Sequence, residues 1–154
     1  MSQPILRAPF VTVLIDTYDY AQFIEQAVEI ALAQDFPREQ REILVVDDGS
    51  TDDTAELLKK FGDEIRYLRK TNGGQASAFN LCFAEAHGEI LATLDADDLW
   101  LPDKRRSVCE TFEKNPGVGM VYHRTYMWRG GEELSNDTYF ADVSGRIPDN
   151  RASL

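Results

Sequence analysis

The sequence predicts an α/β fold, a mostly parallel sheet flanked by helices, and three observations lead there. Short apolar runs such as FVTVLI and EILVV are rich in β-branched residues, the pattern of strands buried on both faces. Between them lie stretches whose apolar residues recur at steps of three and four, as on one face of a helix. Strands alternating with helices imply βαβ units and right-handed crossovers. The third observation is that polar or acidic residues follow four consecutive strands: Asp16-Thr-Tyr-Asp, Asp47-Asp-Gly-Ser, Lys70-Thr-Asn-Gly-Gly and Asp95-Ala-Asp-Asp. Such sheets bind ligands beyond the carboxyl ends of their strands, so these residues are expected to converge on one edge.

The elements follow in order. Phe10 to Ile15 is the first strand. A helix is expected from about Tyr20 to Gln34, with Phe23, Ile24, Ala27, Val28, Ala31 and Leu32 on its apolar face, and Pro37 forbids its continuation. Glu42 to Val46 is the second strand. Asp52 to Phe61 is a helix with Ala55, Leu58 and Phe61 on one side and Gly62 as its stop. Ile65 to Leu68 is a short third strand. Gly73-Gly74 opens a helix that carries Ala76, Phe79, Phe83 and Ala86 inward and ends at Gly88. Glu89 to Leu94 is the fourth strand. Pro102 suits the first turn of the next helix, which runs to about Asn115 with Val108 and Phe112 inward. Val118 to Met127 is expected as a fifth strand, and Tyr139 to Val143 as a further one.

Composition narrows the function. The net charge of -11 over 154 residues argues against nucleic-acid binding, which needs a basic footprint, but leaves room for a phosphate ligand if a metal carries the positive charge. Cys82 and Cys109 lie at neither metal nor disulfide spacing and read as two buried thiols in a reducing compartment. No apolar stretch approaches the ~20 residues of a membrane span. The start has no charged segment leading into a long apolar one, so it is not read as a signal peptide, and the chain is expected in the cytoplasm.

The acidic strand ends carry the chemistry. Asp95, Asp97 and Asp98 crowd three carboxylates into four positions after an apolar run. An extended backbone would place Asp95 and Asp97 on one side. Such a pair suits Mg2+ or Mn2+ together with substrate phosphates, or one carboxylate can hold a ribose hydroxyl while the other holds the metal. Helix capping by Asp98 or Asp103 explains one of these carboxylates but not three. In Asp47-Asp48-Gly49-Ser50-Thr51-Asp52, Gly49 permits a sharp turn, and Ser50 with Asp53 has capping-box spacing. That leaves two aspartates at the strand end, one of which can accept the N–H of a base. Tyr18 offers a face for a base, or it packs at the helix start, as Tyr20 can. The glycine-rich 70–75 segment either turns a phosphate toward backbone N–H groups or is a plain turn. His87 is expected at a helix end, stabilising the dipole, and His123 as an ordinary residue of the last clear strand. Trp100 reads first as core packing, with the lining of a sugar pocket as the alternative.

These segments, in this order, resemble the family 2 glycosyltransferases, which have a GT-A fold, Rossmann-like in its donor-binding part. The matching pieces are VTVLIDTYDYAQFIEQAVEIALAQDF, EILVVDDGSTDDTAELL, NGGQASAFNLCFAEAHGEILATLDADDLWLPDK and GVGMVYHRTYMW. The resemblance spans about residues 10 to 128 and divides the chain into an extension (1–9), a nucleotide-sugar-binding domain (10–128) and the start of an acceptor-side region (129–154). It implies transfer of a sugar with inversion from a nucleotide diphosphate donor, most often a UDP-sugar, to a hydroxyl of a saccharide, lipid-linked or protein acceptor. Thr17 and Tyr18 would lie near the base, Asp48 would accept from it, and Asp95 would contact the ribose. Asp97, with Asp98, would hold Mn2+ or Mg2+ on the diphosphate. Asp16 and Asp19 depart from the family's I-P-T-Y-N and bring two extra carboxylates near an anionic donor. In this family the general base is an acidic residue in the second half of the fold; Asp137 and Asp142 lie downstream but carry no motif. The chain is thus expected to be a donor-binding half that lacks the acceptor half. The alternative is a non-catalytic nucleotide-sugar-binding module. A metal-dependent phosphotransferase is disfavoured, because Asp95-Ala-Asp is not followed by the Thr of an aspartyl-phosphate enzyme. Strands left uncovered allow a homodimer, and a lipid-linked acceptor would bring the chain to a membrane surface.

Overall fold

The computed structural model describes residues 10–122 and the backbone of 127–129 and 132–135. The chain divides into two compact units, Met1–Pro116 and Gly117–Leu154. In the first, strands β1 (Val11–Thr17), β2 (Arg41–Asp47), β3 (Arg66–Arg69) and β4 (Ile90–Asp95) form a parallel sheet in the order β3-β2-β1-β4. The chain steps from β1 to β2 to β3, then returns past β1 to β4. The direction of winding therefore reverses between β1 and β4, where open α/β sheets leave a crevice for a ligand.

Helices α1 (Ala21–Leu32) and α2 (Thr54–Leu58) cover one face of the sheet, and α3 (Gln75–Glu85) covers the other. On the first face Ile24, Ala27, Val28 and Ala31 of α1 and Leu58 of α2 pack with Val13, Ile15, Ile43, Val45 and Leu94 of the strands. Trp100, 9% exposed, joins this cluster, as its core reading anticipated. On the second face Ala78 and Cys82 of α3 meet Leu14, Leu44 and Val46. Burial on both faces is why β1 and β2 read as continuous apolar runs. Both cysteines are buried and free.

Several expectations need correction. Helix α3 turns Ala78 and Cys82 inward, while Ala76 and Phe83 are exposed and Phe79 is half-buried. Small side chains let the helix approach the sheet closely; the two phenylalanines stack on each other instead, 6.2 Å between centroids. Helix α4 (Lys104–Lys114) starts after Pro102 and buries Arg105 and Cys109 more deeply than Val108 and Phe112. Val118 to Tyr122 is not a strand. Instead β5 (Met127–Arg129) pairs antiparallel with β6 (Glu132–Ser135), in the second unit. His123 and the strand expected at 139–143 lie outside the described residues.

His87 follows Ala86, the C-cap of α3, and finds a partner in Glu42: its Nδ1 lies 3.0 Å from the carboxylate, and its backbone N–H donates to it. Burial pushes Glu42 up, but donors from the His87 backbone, Thr12 and Arg66 outweigh it and hold the carboxyl below its usual range. This cluster ties β1, β2 and β3 together at the end of the sheet opposite the expected ligand edge.

Candidate active site

The four strand ends meet. A cavity of about 410 Å3 opens at the carboxyl edge and is lined by Thr17, Tyr18, Asp48, Asp95 and Asp97, all anticipated from sequence, together with Asp16, Tyr20, Asn72, Gly74, Gln75 and Ala96. Asp98 is not among the lining residues. Sequence reasoning missed Tyr20, Asn72 and Gln75 as lining residues. Its clue to the last two was the glycine-rich segment that opens α3.

The β2 turn is built around two carboxylates. Asp47 is fully buried; it accepts from the Ser50 N–H at 2.7 Å and the Tyr67 hydroxyl at 2.6 Å. Burial and that bond to Asp47 push the Tyr67 hydroxyl far above its ordinary range. Asp48, 3% exposed, accepts from Lys70 Nζ at 2.5 Å, from the Gly73 N–H at 3.0 Å and from the Gly74 N–H at 2.7 Å. Burial raises its carboxyl, but these donors prevail and hold it low. Of the two readings of this segment, phosphate loop or plain turn, the structure favours the turn: the Gly73 and Gly74 amides are committed to Asp48. Gly49 is required here: its φ is +87°, and a Cβ would lie 2.9 Å from the Asn72 nitrogen.

The expected capping box does not form. Ser50 Oγ accepts from the Asp19 N–H at 2.9 Å, and the Asp53 side chain makes no capping bond. Asp19 and Asp52 tie the two turns together instead. Asp19 sits at φ 53°, a left-handed conformation that Asn and Asp tolerate best among non-glycines. Its Oδ1 accepts from the Thr51 N–H at 2.6 Å. Asp52 accepts from the Ala21 N–H at 2.9 Å and the Thr54 N–H at 3.0 Å. The departure at Asp19 is therefore a turn-forming residue outside the cavity lining, not a charge facing the ligand.

The β4 end differs from the extended strand assumed for it. The Asp98 N–H donates to the Asp95 carbonyl at 3.0 Å, so the chain turns at Ala96-Asp97. Asp95 and Asp97 still both line the cavity. The Asp95 carboxyl is raised by burial, then by the charges of Asp98 and Asp97. Asp16 is raised by burial, then by Asp95 and, more weakly, by Asp97. Lys104 lies over the Trp100 ring, 3.9 Å from its centroid; burial lowers its ammonium to about 8, against the pull of Asp98. Tyr20 lines the cavity while its ring packs 5.7 Å from that of Phe23.

None of the lining residues is basic, and four of them are aspartates. Among the described residues no three His, Cys, Asp or Glu side chains converge as a ready-made metal site. The donor set fits a hard cation of the Mg2+ or Mn2+ kind, which takes one or two carboxylates and fills its remaining positions with phosphate and water. Burial, and after it the charge of neighbouring aspartates, raises the carboxyls of Asp16 and Asp95, and a cation is the electrostatic complement of such a cluster.

Among the described residues no helix is long and apolar enough to cross a membrane. The chain is similar to an uncharacterized glycosyltransferase of Nostoc sp., 38% identical over 117 residues, which are 73% of this chain and 36% of that protein. Its fold is similar to a mannosyltransferase from Pyrobaculum calidifontis in complex with GDP-Man and Mn2+, with a TM-score of 0.66 and 31% identity over 74% of this chain and 35% of that one. It is also similar to S. aureus TarS in complex with UDP, TM-score 0.64 and 26% identity, over 69% of this chain and 32% of that one. The chain thus spans about a third of the length of these proteins. The architecture is that of the GT-A glycosyltransferases. The profile of glycosyl transferase family 2 matches residues 12–147, and the chain belongs to that family.

Proposed function

We propose that the cavity binds the nucleotide of a nucleotide-diphosphate sugar, a UDP-sugar first among candidates, and that the protein transfers the sugar to an acceptor hydroxyl with inversion. The observation that carries this reading is the convergence of Thr17, Tyr18, Asp48, Asp95 and Asp97 on one cavity at the switch point of the sheet. Relatives that bind UDP and GDP-Man support it.

In this reading Tyr18, 44% exposed, lays its ring against the base, with Thr17 beside it. Asp48 has about four lone-pair sites. Lys70, Gly73 and Gly74 already donate to it, Gly73 to both oxygens, so an N–H of the base would share an oxygen with one of them. Asp95 accepts a ribose hydroxyl. Asp97, with Asp98 as the second carboxylate of the pair, would hold Mn2+ or Mg2+; the charges of both already act on Asp95. A bound cation supplies charge that offsets the diphosphate and stabilises the leaving group as a Lewis acid. No cavity residue is assigned to take the acceptor's proton; Asp137 and Asp142 lie outside the described residues. The acceptor is a saccharide, a lipid-linked saccharide or a protein, and the proposed location is the cytoplasm.

Calorimetric titration of UDP, and in parallel GDP, with Mn2+ and then with EDTA tests this. Binding that requires the metal and is lost in Asp97→Ala is the expected result. Absence of binding by a folded chain in every condition sinks the reading.

A further inference from the structure

The switch point carries a carboxylate to which the family resemblance gives no role. Asp16 stands in register with Asp95 across the parallel β1–β4 pair, and both line the cavity. Register partners on neighbouring parallel strands point to the same face, and neighbouring strands lie about 4.8 Å apart. Asp16 has a hydrogen bond with Gln75, but its Oδ1 is buried with no partner among the described residues. Thr17, only 4% exposed and lining the same cavity, also has an unpartnered hydroxyl. A buried polar atom left without a partner is costly, so this end of the cavity is built for a ligand that brings hydrogen-bond donors. Those donors must be neutral parts of an otherwise anionic molecule. In a nucleoside diphosphate the group of that kind is the ribose cis-diol, two adjacent hydroxyls matched by two adjacent carboxylates.

We propose that Asp16 is a specificity-determining residue that accepts one hydroxyl of the donor's ribose while Asp95 accepts the other, so that the site selects ribonucleotides over their deoxy forms. The inference rests on the donor reading of the cavity. It also explains how an extra carboxylate is tolerated there: it faces the sugar of the nucleoside rather than the diphosphate.

The test is calorimetry of UDP, 2′-deoxy-UDP and 3′-deoxy-UDP with Mn2+, on the wild-type chain, Asp16→Val and Asp16→Asn. Valine suits a buried strand and keeps the fold; asparagine keeps one acceptor oxygen. Each missing hydroxyl is expected to weaken binding to the wild type by about tenfold or more, the value of a hydrogen bond to a charged group. Asp16→Val removes one of the two penalties, and Asp16→Asn retains it. Wild-type protein that binds all three ligands equally overturns the proposal, as does Asp16→Val with both penalties intact. In either case UDP binding itself leaves the donor reading standing. A folded chain that binds neither UDP nor GDP overturns both.

Discussion

Replacing Asp48 with alanine tests the β2 turn most sharply. The side chain is 3% exposed and receives three donors, Lys70 Nζ and the Gly73 and Gly74 amides. A hydrogen bond to a charged group contributes about 1.5–3 kcal/mol. The full sum overstates the loss, because both glycines are exposed and can turn to water, and Lys70 keeps the Thr71 carbonyl at 2.7 Å. About 2–4 kcal/mol is therefore expected at neutral pH, a large share of a domain's stability. The effect has a pH signature. The folded carboxyl lies below its unfolded value, so its stabilisation is complete above the unfolded pKa of about 3.9 and is lost as pH falls through the folded one. Urea unfolding followed by circular dichroism, from pH 8 downward, should show a constant gap between wild type and Asp48→Ala that closes in acid. A gap under about 1 kcal/mol at pH 7, or one that widens on acidification, refutes the clamp.

Other predictions concern residues outside the cavity. Asp19→Asn should be nearly neutral, since asparagine keeps the acceptor and the left-handed backbone, whereas Asp19→Ala should cost about 1–2 kcal/mol by urea unfolding. Neither should alter UDP affinity by calorimetry. Arg105 is 2% exposed and stacks 3.6 Å above the Phe36 ring, yet its guanidinium nitrogens have no hydrogen-bond partner among the described residues. Arg105→Met should raise the melting temperature, with a gain of about 1–3 kcal/mol from removing a buried unpaired charge, less the lost cation–π contact. Glu42→Gln should destabilise by about 1–2 kcal/mol at pH 7 through its bonds to Thr12, Arg66 and the His87 N–H. The difference should shrink as pH falls through the lowered pKa of Glu42, and donor binding should be unchanged.

Strand positions were legible because Val13, Leu14, Ile15, Leu44, Val45 and Val46 are buried from both sides, leaving no polar residue to blur the pattern. Helix α1 was legible for the complementary reason, one clean apolar stripe. Helix α3 was not, because Phe79 and Phe83 outweighed Ala78 and Cys82 in any hydrophobic reading, although only small side chains fit that close to the sheet. The cavity residues at the strand ends could be named because parallel strands bring successive carboxyl ends to one edge. Which of them face the ligand depended on contacts between distant segments. Asp48 reaches residues 70–74, Asp19 reaches Thr51, and the turn at Ala96-Asp97 ends the alternation assumed for Asp95 and Asp97. No local pattern encodes those bonds, so Asp19 looked like a misplaced charge and Gly73-Gly74 read equally as a phosphate loop or a plain turn.

The central claim is that Asp97 and its neighbours hold a divalent cation only together with a nucleoside diphosphate. Paramagnetic broadening by Mn2+ in amide NMR spectra, with and without UDP, tests it most directly. The account predicts selective loss of the Ala96, Asp97 and Asp98 amide signals that requires UDP and disappears in Asp97→Ala. Broadening centred elsewhere, or unchanged by UDP and by the substitution, would contradict it.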